Sequence, residues 1–287
     1  MAERPPRIAV AIPCYRVRDH VLDVITRVPA QVERIYVVDD QCPEQSGQLV
    51  QERCTDPRVT VLRHDQNQGV GGAVTTAYRA ALDAGMDIVI KIDGDGQMDP
   101  ALIPHLTRPI LRGKADYTKG NRFYRPESLA GMPGIRLFGN AALSFINKLS
   151  TGYWPLMDPT NGYTAIHTSV LRRMPLHKLD RRYFFESDML YQLGTMRAVV
   201  HDVPMDAVYA GEPSSLRVSR VLPEFLVKHL VRFFKRYVYL YLLRDRTAGE
   251  YVEAYERPIQ RCLCRAQGMR KLIADLLDLT RIESGQR

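Results

Sequence analysis

The sequence predicts an α/β fold built on a mostly parallel sheet with helices on both faces. Three observations carry that expectation. Short apolar runs bounded by turn residues recur at Ile8 to Ile12, Arg34 to Val38, Val59 to Arg63 and Asp87 to Ile92. The stretches between them have helical pattern, and the resulting order is β-α-β-α-β-α-β. Strands that alternate with helices at this spacing imply parallel pairing, with helices packed on either side.

Taken in order, the first strand ends in Ile12-Pro13-Cys14-Tyr15, and a helix follows from about Asp19 to Val28. The second ends in Val37-Val38-Asp39-Asp40, before a helix from about Gln45 to Cys54. After the third strand a helix begins near Gly71 and carries Ala73, Ala77, Ala80 and Ala81. The fourth strand ends in Ile92-Asp93-Gly94-Asp95-Gly96-Gln97. In open α/β sheets ligands collect beyond the carboxyl ends of the strands, so these tips are the place to look for chemistry. Beyond Asp99-Pro100 the pattern loosens. Gly131 to Gly134 and a helical stretch around Phe138 to Leu149 suggest an inserted region before the fold resumes at Tyr163.

The chain has 287 residues, 45% hydrophobic and 25% charged, which is the balance of a folded globular protein. A formal net charge of +8 favours anionic partners: nucleotides, phospholipid headgroups or nucleic acid. The cysteines Cys14, Cys42, Cys54, Cys262 and Cys264 are odd in number and form no C-x-x-C pair, which argues against a disulfide framework or a zinc site and fits a reducing compartment. Met1 to Pro6 lack an apolar signal region, so a cytoplasmic-side location is expected.

Asp93 and Asp95, one glycine apart at a strand end, suit a hard cation such as Mg²⁺ or Mn²⁺ that completes its oxygen shell with substrate phosphates. Such a cation would neutralise a departing nucleoside diphosphate. The bland alternatives are a polar loop or a calcium loop; the latter lacks its glutamate at the twelfth position. Gly69, Gly71 and Gly72 follow the third strand rather than the first, so they do not form a dinucleotide loop, and they fit the tight start of a helix.

Together these motifs make residues Arg7 to Leu243 resemble a family 2 glycosyltransferase of GT-A fold, the group of dolichyl-phosphate and polyprenyl-phosphate sugar transferases. Ile12-Pro13-Cys14-Tyr15 is similar to the family's opening I-P-x-Y, Val38-Asp39-Asp40 to its nucleobase-binding V-D-D, and the segment His64 to Ala73 to its N-x-G-x-G-x-A. Asp93-Gly94-Asp95-Gly96-Gln97 is similar to its metal motif. The resemblance implies that Pro13, Tyr15, Asp39, Asp40, Asn67 and Gly71 lie at the nucleotide sugar, Asp93 at ribose or metal, Asp95 at the metal and Gln97 at the sugar. It also implies inversion at the anomeric carbon. The usual Asn-Glu after the opening tyrosine is Arg16-Val17 here, so the resemblance does not carry over a base contact by that glutamate.

In the second half, Arg122 and Arg136 stand where lipid-phosphate-using members carry arginines for the acceptor phosphate. A guanidinium fork suits a phosphate, although each arginine could equally be salt-bridged. Asp158-Pro159-Thr160-Asn161-Gly162-Tyr163 resembles the segment beneath the sugar site, which makes Asp158 a site candidate. Phe184-Phe185-Glu186-Ser187-Asp188 places two carboxylates in apolar surroundings, suited to general-base work if the acceptor is a hydroxyl, with Asp188 the first choice and Glu186 the second. A polyprenyl phosphate is already nucleophilic, and both would then orient substrate. The alternative for one of them is a helix cap. Glu212 to Arg217, with Arg220, resembles a mobile loop over the diphosphate.

From Phe225 to Leu243 the chain is apolar and aromatic, broken by Lys228, His229, Arg232, Lys235 and Arg236, cations too dense for a spanning helix. It reads as an amphipathic helix lying in the membrane interface or as a packed surface helix. In the tail, Met269, Leu272, Leu276 and Leu279 form a helical seam, and Leu276 to Gly285 resembles a histidine-kinase dimerisation helix without its phosphoacceptor motif, so a homo-oligomer is expected. The expected division is residues 1–220 for the glycosyltransferase domain, 221–246 for the juxtamembrane helix and 247–287 for the helical tail. The expected partners are a UDP- or GDP-sugar, a polyprenyl phosphate or glycan acceptor, and the membrane surface. A nucleotidyltransferase would show a Gly-rich loop after the first strand. A basic module binding membrane or nucleic acid would leave the three strand-end motifs unexplained, so no nucleic-acid partner is expected.

Overall fold

The computed structural model describes residues 4–124, 134–206 and 218–243, with side chains for all of these but 134–138, 140, 141, 218–222 and 241–243. Its strands are β1 (Ile8–Cys14), β2 (Arg34–Asp39), β3 (Val59–Arg63), β4 (Ile88–Lys91), β5 (Tyr117–Asn121), β6 (Thr164–His167) and β7 (Val200–Pro204). They form one sheet in the order β3-β2-β1-β4-β6-β5-β7. Pairing is parallel except that β6 runs antiparallel to both β4 and β5. The expected mostly parallel α/β sheet is therefore present.

The sequence of β1 explains why the sheet can be covered on both sides. Ile8, Val10 and Ile12 project into one apolar layer with Val21, Val24 and Ile25 of α1 (Val21–Thr26) and Ile103, Leu106 and Ile110 of α4 (Ile103–Leu111). Ala9 and Ala11 project into the other, against Ala73, Ala77 and Ala81 of α3 (Val70–Asp83). Alanine facing alanine lets α3 lie close to the strands, while the branched residues fill the wider opposite layer. The helices expected between strands are all present, α2 being Ser46–Arg53, with ends shifted by a few residues. The stretch expected around Phe138 to Leu149 lies within α5 (Gly134–Thr151). A short α6 (Thr168–Leu171) follows β6, and α7 (Phe185–Thr195) precedes β7.

The chain divides into two units, Met1–Arg236 and Tyr237–Arg287. Helix α8 (Val218–Tyr237) belongs, through Arg236, to the first. Within that unit Lys228 and Arg232 turn inward. Lys228 Nζ donates to Asp180 at 2.5 Å and Arg232 Nε to Asp188 at 2.6 Å, while His229 is buried against Phe184 and Phe225. Leu226, Val227, Leu230, Val231 and Phe234 are exposed. The helix thus packs through its polar residues and shows apolar ones to solvent, because the buried carboxylates beneath it require counter-charges. Among the described residues no helix is long and apolar enough to cross a membrane. Glu212 to Arg217 and the tail 247–287, with its expected dimerisation helix, lie outside the described residues.

Candidate active site

All four of the first strands end at one edge of the sheet, and β5 and β7 end there too, since among the described strands β6 alone is reversed. From β1 the chain runs to β2 on one side in the strand order and from β4 to β5 on the other, so the neighbours β1 and β4 mark the topological switch point, where ligands of open α/β sheets collect. The packing there is tight: a Cβ on Gly94 would stand 3.1 Å from Val17 and 3.3 Å from Ile12.

On the donor side, β1 delivers Pro13 and a half-exposed Tyr15. Arg16 (φ 57°) and Gln41 (φ 53°), directly after the ends of β1 and β2, take left-handed backbone that non-glycine residues rarely adopt. Strain of that kind collects at ligand sites. The Arg16 N–H donates to Cys42 Sγ at 3.0 Å and Cys42 Sγ lies 3.1 Å from Ser46 Oγ, so the two loops are stitched together. Burial pushes the neighbouring Cys14 thiol up to about 12.

Asp39 and Asp40 are both buried. Asp39 accepts the Cys42 N–H at 2.8 Å and lies 3.7 Å from Arg63 Nε. Asp40 organises the loop after β3, accepting the N–H groups of Gln68 (2.8 Å) and Gly69 (2.7 Å) and pairing with His64 Nδ1 at 2.7 Å. Asn67 donates to the Asp40 carbonyl at 3.0 Å. The Asp40 carboxylate is therefore engaged within the protein. Gly71 sits where α3 meets the Asp180 carbonyl and the Phe185 ring, with no room for a Cβ.

The β4 tip carries the carboxylate pair. Asp95 Oδ1 accepts the Gln97 N–H at 3.0 Å, closing a turn through Gly96 (φ 77°). Beneath Asp93 lies Lys91, buried, its ammonium 2.7 Å from Asp93 and 3.3 Å from both Glu186 and the Gly162 carbonyl. Burial lowers the Lys91 pKa, but the Asp93 and Glu186 carboxylates outweigh it and hold the group above its ordinary value. Lys91 faces Thr164 across the β4–β6 pair, Thr164 faces Lys119 across β6–β5, and Lys119 faces Asp202 across β5–β7. This polar row on the α3 and α7 side runs under the site. Lys119 is fully buried and donates to the Asn161 carbonyl; burial outweighs the attraction of Glu186 and Asp158 and lowers it to about 8.

Glu186 and Asp188, the second and first choices for a general base, differ in accessibility. Glu186 keeps 13% of its side chain exposed beside Lys91, whereas Asp188 is 0% exposed. Asp188 accepts Arg232 Nε at 2.6 Å and Nη2 at 3.2 Å, and the Asp180 N–H at 2.9 Å. Burial raises its pKa, and the Arg232 fork pulls against that rise. Neither carboxylate caps α7. On the acceptor side Asp158, 0% exposed, accepts Arg122 Nε at 2.7 Å and Nη2 at 3.0 Å. Arg122 is thus salt-bridged, yet its side chain remains 34% exposed at the β5 tip. Arg136 lies in α5, its side chain outside the described set.

The site therefore gathers Tyr15, Asp39, Asn67, Asp93, Asp95, Gln97, Glu186 and Arg122 along one sheet edge. Among the described residues no three His, Cys, Asp or Glu side chains cluster as a metal cage. Two hard carboxylates fit a divalent cation that draws the rest of its shell from phosphates and water. Sequence reasoning passed over Lys91 and Lys119, and read Arg232 as a cation of an amphipathic helix rather than as the partner of Asp188. A signal was available for Lys91: a cation amid the apolar run of a buried strand is out of pattern unless it is paired.

Comparison with known proteins agrees with this arrangement. Residues 9–175 match glycosyl transferase family 2. The chain is 27% identical over 242 residues to the UDP-N-acetylglucosamine–dolichyl-phosphate N-acetylglucosaminyltransferase of Methanococcus voltae, covering 79% of this chain and 96% of that one. It is 28% identical over 206 residues to the undecaprenyl-phosphate mannosyltransferase of Micrococcus luteus, covering 70% and 84% respectively. The crystal structure of glucosyl-3-phosphoglycerate synthase from Mycobacterium tuberculosis with Mn²⁺, uridine diphosphate and glucosyl-3-phosphoglycerate has the same fold, with a TM-score of 0.60 at 18% identity over 80% of each chain. The family match spans more than half of the sequence, and the protein accordingly belongs to glycosyl transferase family 2 and is a glycosyltransferase.

Proposed function

We propose that this glycosyltransferase moves a sugar from a UDP- or GDP-sugar to a polyprenyl phosphate at a membrane surface, with divalent-metal dependence and inversion at the anomeric carbon. The observation that carries the reading is the Asp93-Gly94-Asp95 turn at the switch point between β1 and β4, backed by a buried Lys91 that ties Asp93 to Glu186. The acceptor class is supported by the relatives that use dolichyl and undecaprenyl phosphates.

In this reading Pro13, Tyr15, Asp39 and Asn67 receive the nucleoside, with Asp40 and Gly71 building the loop and helix start around it. Asp95 and Asp93 hold Mg²⁺ or Mn²⁺, which when bound withdraws charge from the departing diphosphate. Gln97 and Glu186 face the sugar. Lys91 keeps the two carboxylates from repelling one another, so Glu186 can orient donor hydroxyls. A phosphate acceptor is already anionic, and its oxygen forms the new bond to the anomeric carbon as the bond to the diphosphate breaks on the opposite face. No strong base is needed. Arg122, its fork fixed by Asp158, and Arg136 orient the acceptor phosphate. The exposed apolar side chains of α8 support an interfacial position. If the acceptor were instead a glycan hydroxyl, Glu186 is the carboxylate accessible enough to take its proton.

The test is turnover of a panel of UDP- and GDP-sugars, with and without polyprenyl phosphate and with and without a chelator. Wild type is expected to need both lipid phosphate and metal, and Arg122→Ala and Arg136→Ala to lose lipid-phosphate transfer. Equal loss with soluble glycan acceptors would remove the phosphate role, and turnover indifferent to chelation would remove the metal.

A further inference from the structure

Glu186 and Asp188 stand two residues apart on the first turn of α7. At about 100° of rotation per residue they leave the helix on nearly opposite sides. One side meets the strand tips, where Lys91 joins Glu186 to Asp93. The other meets α8, where the Arg232 fork closes on both oxygens of Asp188, at 2.6 and 3.2 Å. The first turn of α7 is therefore held between a lysine beneath the donor site and an arginine outside it.

We propose that Arg232 is a positioning residue of this active site: by gripping Asp188 it fixes the rotation of the first turn of α7, and with it the place of Glu186 beside Lys91 and Asp93. The inference rests on the reading of that site as the sugar-donor site. A planar fork that engages two carboxylate oxygens sets direction as well as charge, which a lysine ammonium would not.

A second set of contacts extends the same clamp. Lys228, one turn before Arg232 on α8, donates to Asp180 Oδ2 at 2.5 Å, and the Asp180 N–H in turn donates to Asp188 at 2.9 Å. The following residue, Arg181, accepts the Gly72 N–H of α3 through its carbonyl at 3.2 Å. Gly71 lies against the Asp180 carbonyl. Loop 180–182 thereby links α8 to the start of α3, whose preceding residues Gln68 and Gly69 hold Asp40. His229, between the two cations, lies 2.8 Å from Ser150 Oγ on α5. Lys228 and Arg232 are thus connected through carboxylates and backbone both to the turn that carries Glu186 and to the loop that holds Asp40.

The experiment compares the full-length wild type with Arg232→Gln, Arg232→Lys and the double variant Asp188→Asn/Arg232→Gln. Two readouts are taken: amide hydrogen exchange along the chain, and kcat and KM for UDP-N-acetylglucosamine and the other nucleotide sugars with polyprenyl phosphate. In Arg232→Gln, exchange across Ser187 to Leu190 is expected to quicken by about tenfold or more while α1 and α4 stay at wild-type rates. In the same variant kcat should fall by about tenfold or more, with donor KM within about threefold, since Lys228 still holds loop 180–182 on the nucleotide side through Asp180. Arg232→Lys should recover part of both changes. The double variant should regain folding stability over Arg232→Gln without regaining kcat, because the buried charge is gone but the grip is not restored. Unchanged exchange at α7, exchange that rises equally in every element, or a kcat equal to wild type would overturn the proposal. If the wild type turned over no nucleotide sugar, the reading of the site would fail, while exchange at α7 would still decide whether the clamp exists.

Discussion

Replacing Lys119 with methionine removes a buried ammonium and keeps most of its length. In the folded protein burial brings this group from 10.5 down to about 8. The unfolded chain therefore binds the proton more tightly than the folded one does. Below pH 8 both states are protonated, and folding carries a constant penalty of about 3 kcal/mol for this group. Between pH 8 and 10.5 the folded protein sheds the proton while the unfolded chain keeps it, so stability rises with pH. From pH 7 to pH 10 the gain attributable to Lys119 is about 2–3 kcal/mol. Lys91 provides the contrast. Its pKa is raised, so the stability it contributes is fully present below its unfolded value and is lost only as pH rises through the still higher folded value. It leaves the range from pH 7 to 10 flat. The assay is urea unfolding of wild type, Lys119→Met and Lys91→Met at pH 7, 8, 9 and 10. The stability difference between wild type and Lys119→Met should move by about 2–3 kcal/mol in favour of wild type across the series, and that for Lys91→Met should stay level. A difference for Lys119→Met that does not vary with pH would refute the reasoning.

Three further outcomes are expected. Asp95→Ala should lower kcat by about 10²-fold or more and abolish stimulation by Mn²⁺ in a metal titration, since one of the two hard ligands is gone; undiminished, metal-dependent transfer would count against the site. Gly71→Ala should destabilise the protein by about 1–3 kcal/mol in thermal unfolding, because its methyl would meet the Asp180 carbonyl and the Phe185 ring. Arg122→Ala should lose about 2–4 kcal/mol in urea unfolding by leaving the buried Asp158 without its fork, whereas Arg122→Ala/Asp158→Asn should recover part of that stability but not the transfer to polyprenyl phosphate.

Much of the donor half could be read from the chain because its signals are local. A parallel strand buried on both faces is largely apolar, and its tip is marked by the carboxylates that follow, so Val38-Asp39 and Ile92-Asp93 announced both the strand and its tip. Periodicity also located α3, whose alanines share one face. The acceptor half was less legible. Strand β6 is four residues long and antiparallel, and nothing in Thr164–His167 says which neighbours it will separate. The exposure of Glu186 and the burial of Asp188 could not be told apart, since both sit in the same apolar stretch and differ only in which side of one helical turn they occupy.

By itself the sequence determined the α/β alternation, the strand-end motifs and the family, since each depends on residue types at fixed short spacings. Only the tertiary structure decided which charges meet. Lys91 finds Glu186, Arg122 finds Asp158, and Arg232 finds Asp188 across separations of tens of residues. An ion pair is a matter of ångströms in space, and chain separation carries no record of it until the sheet order and the docking of α8 bring the partners together.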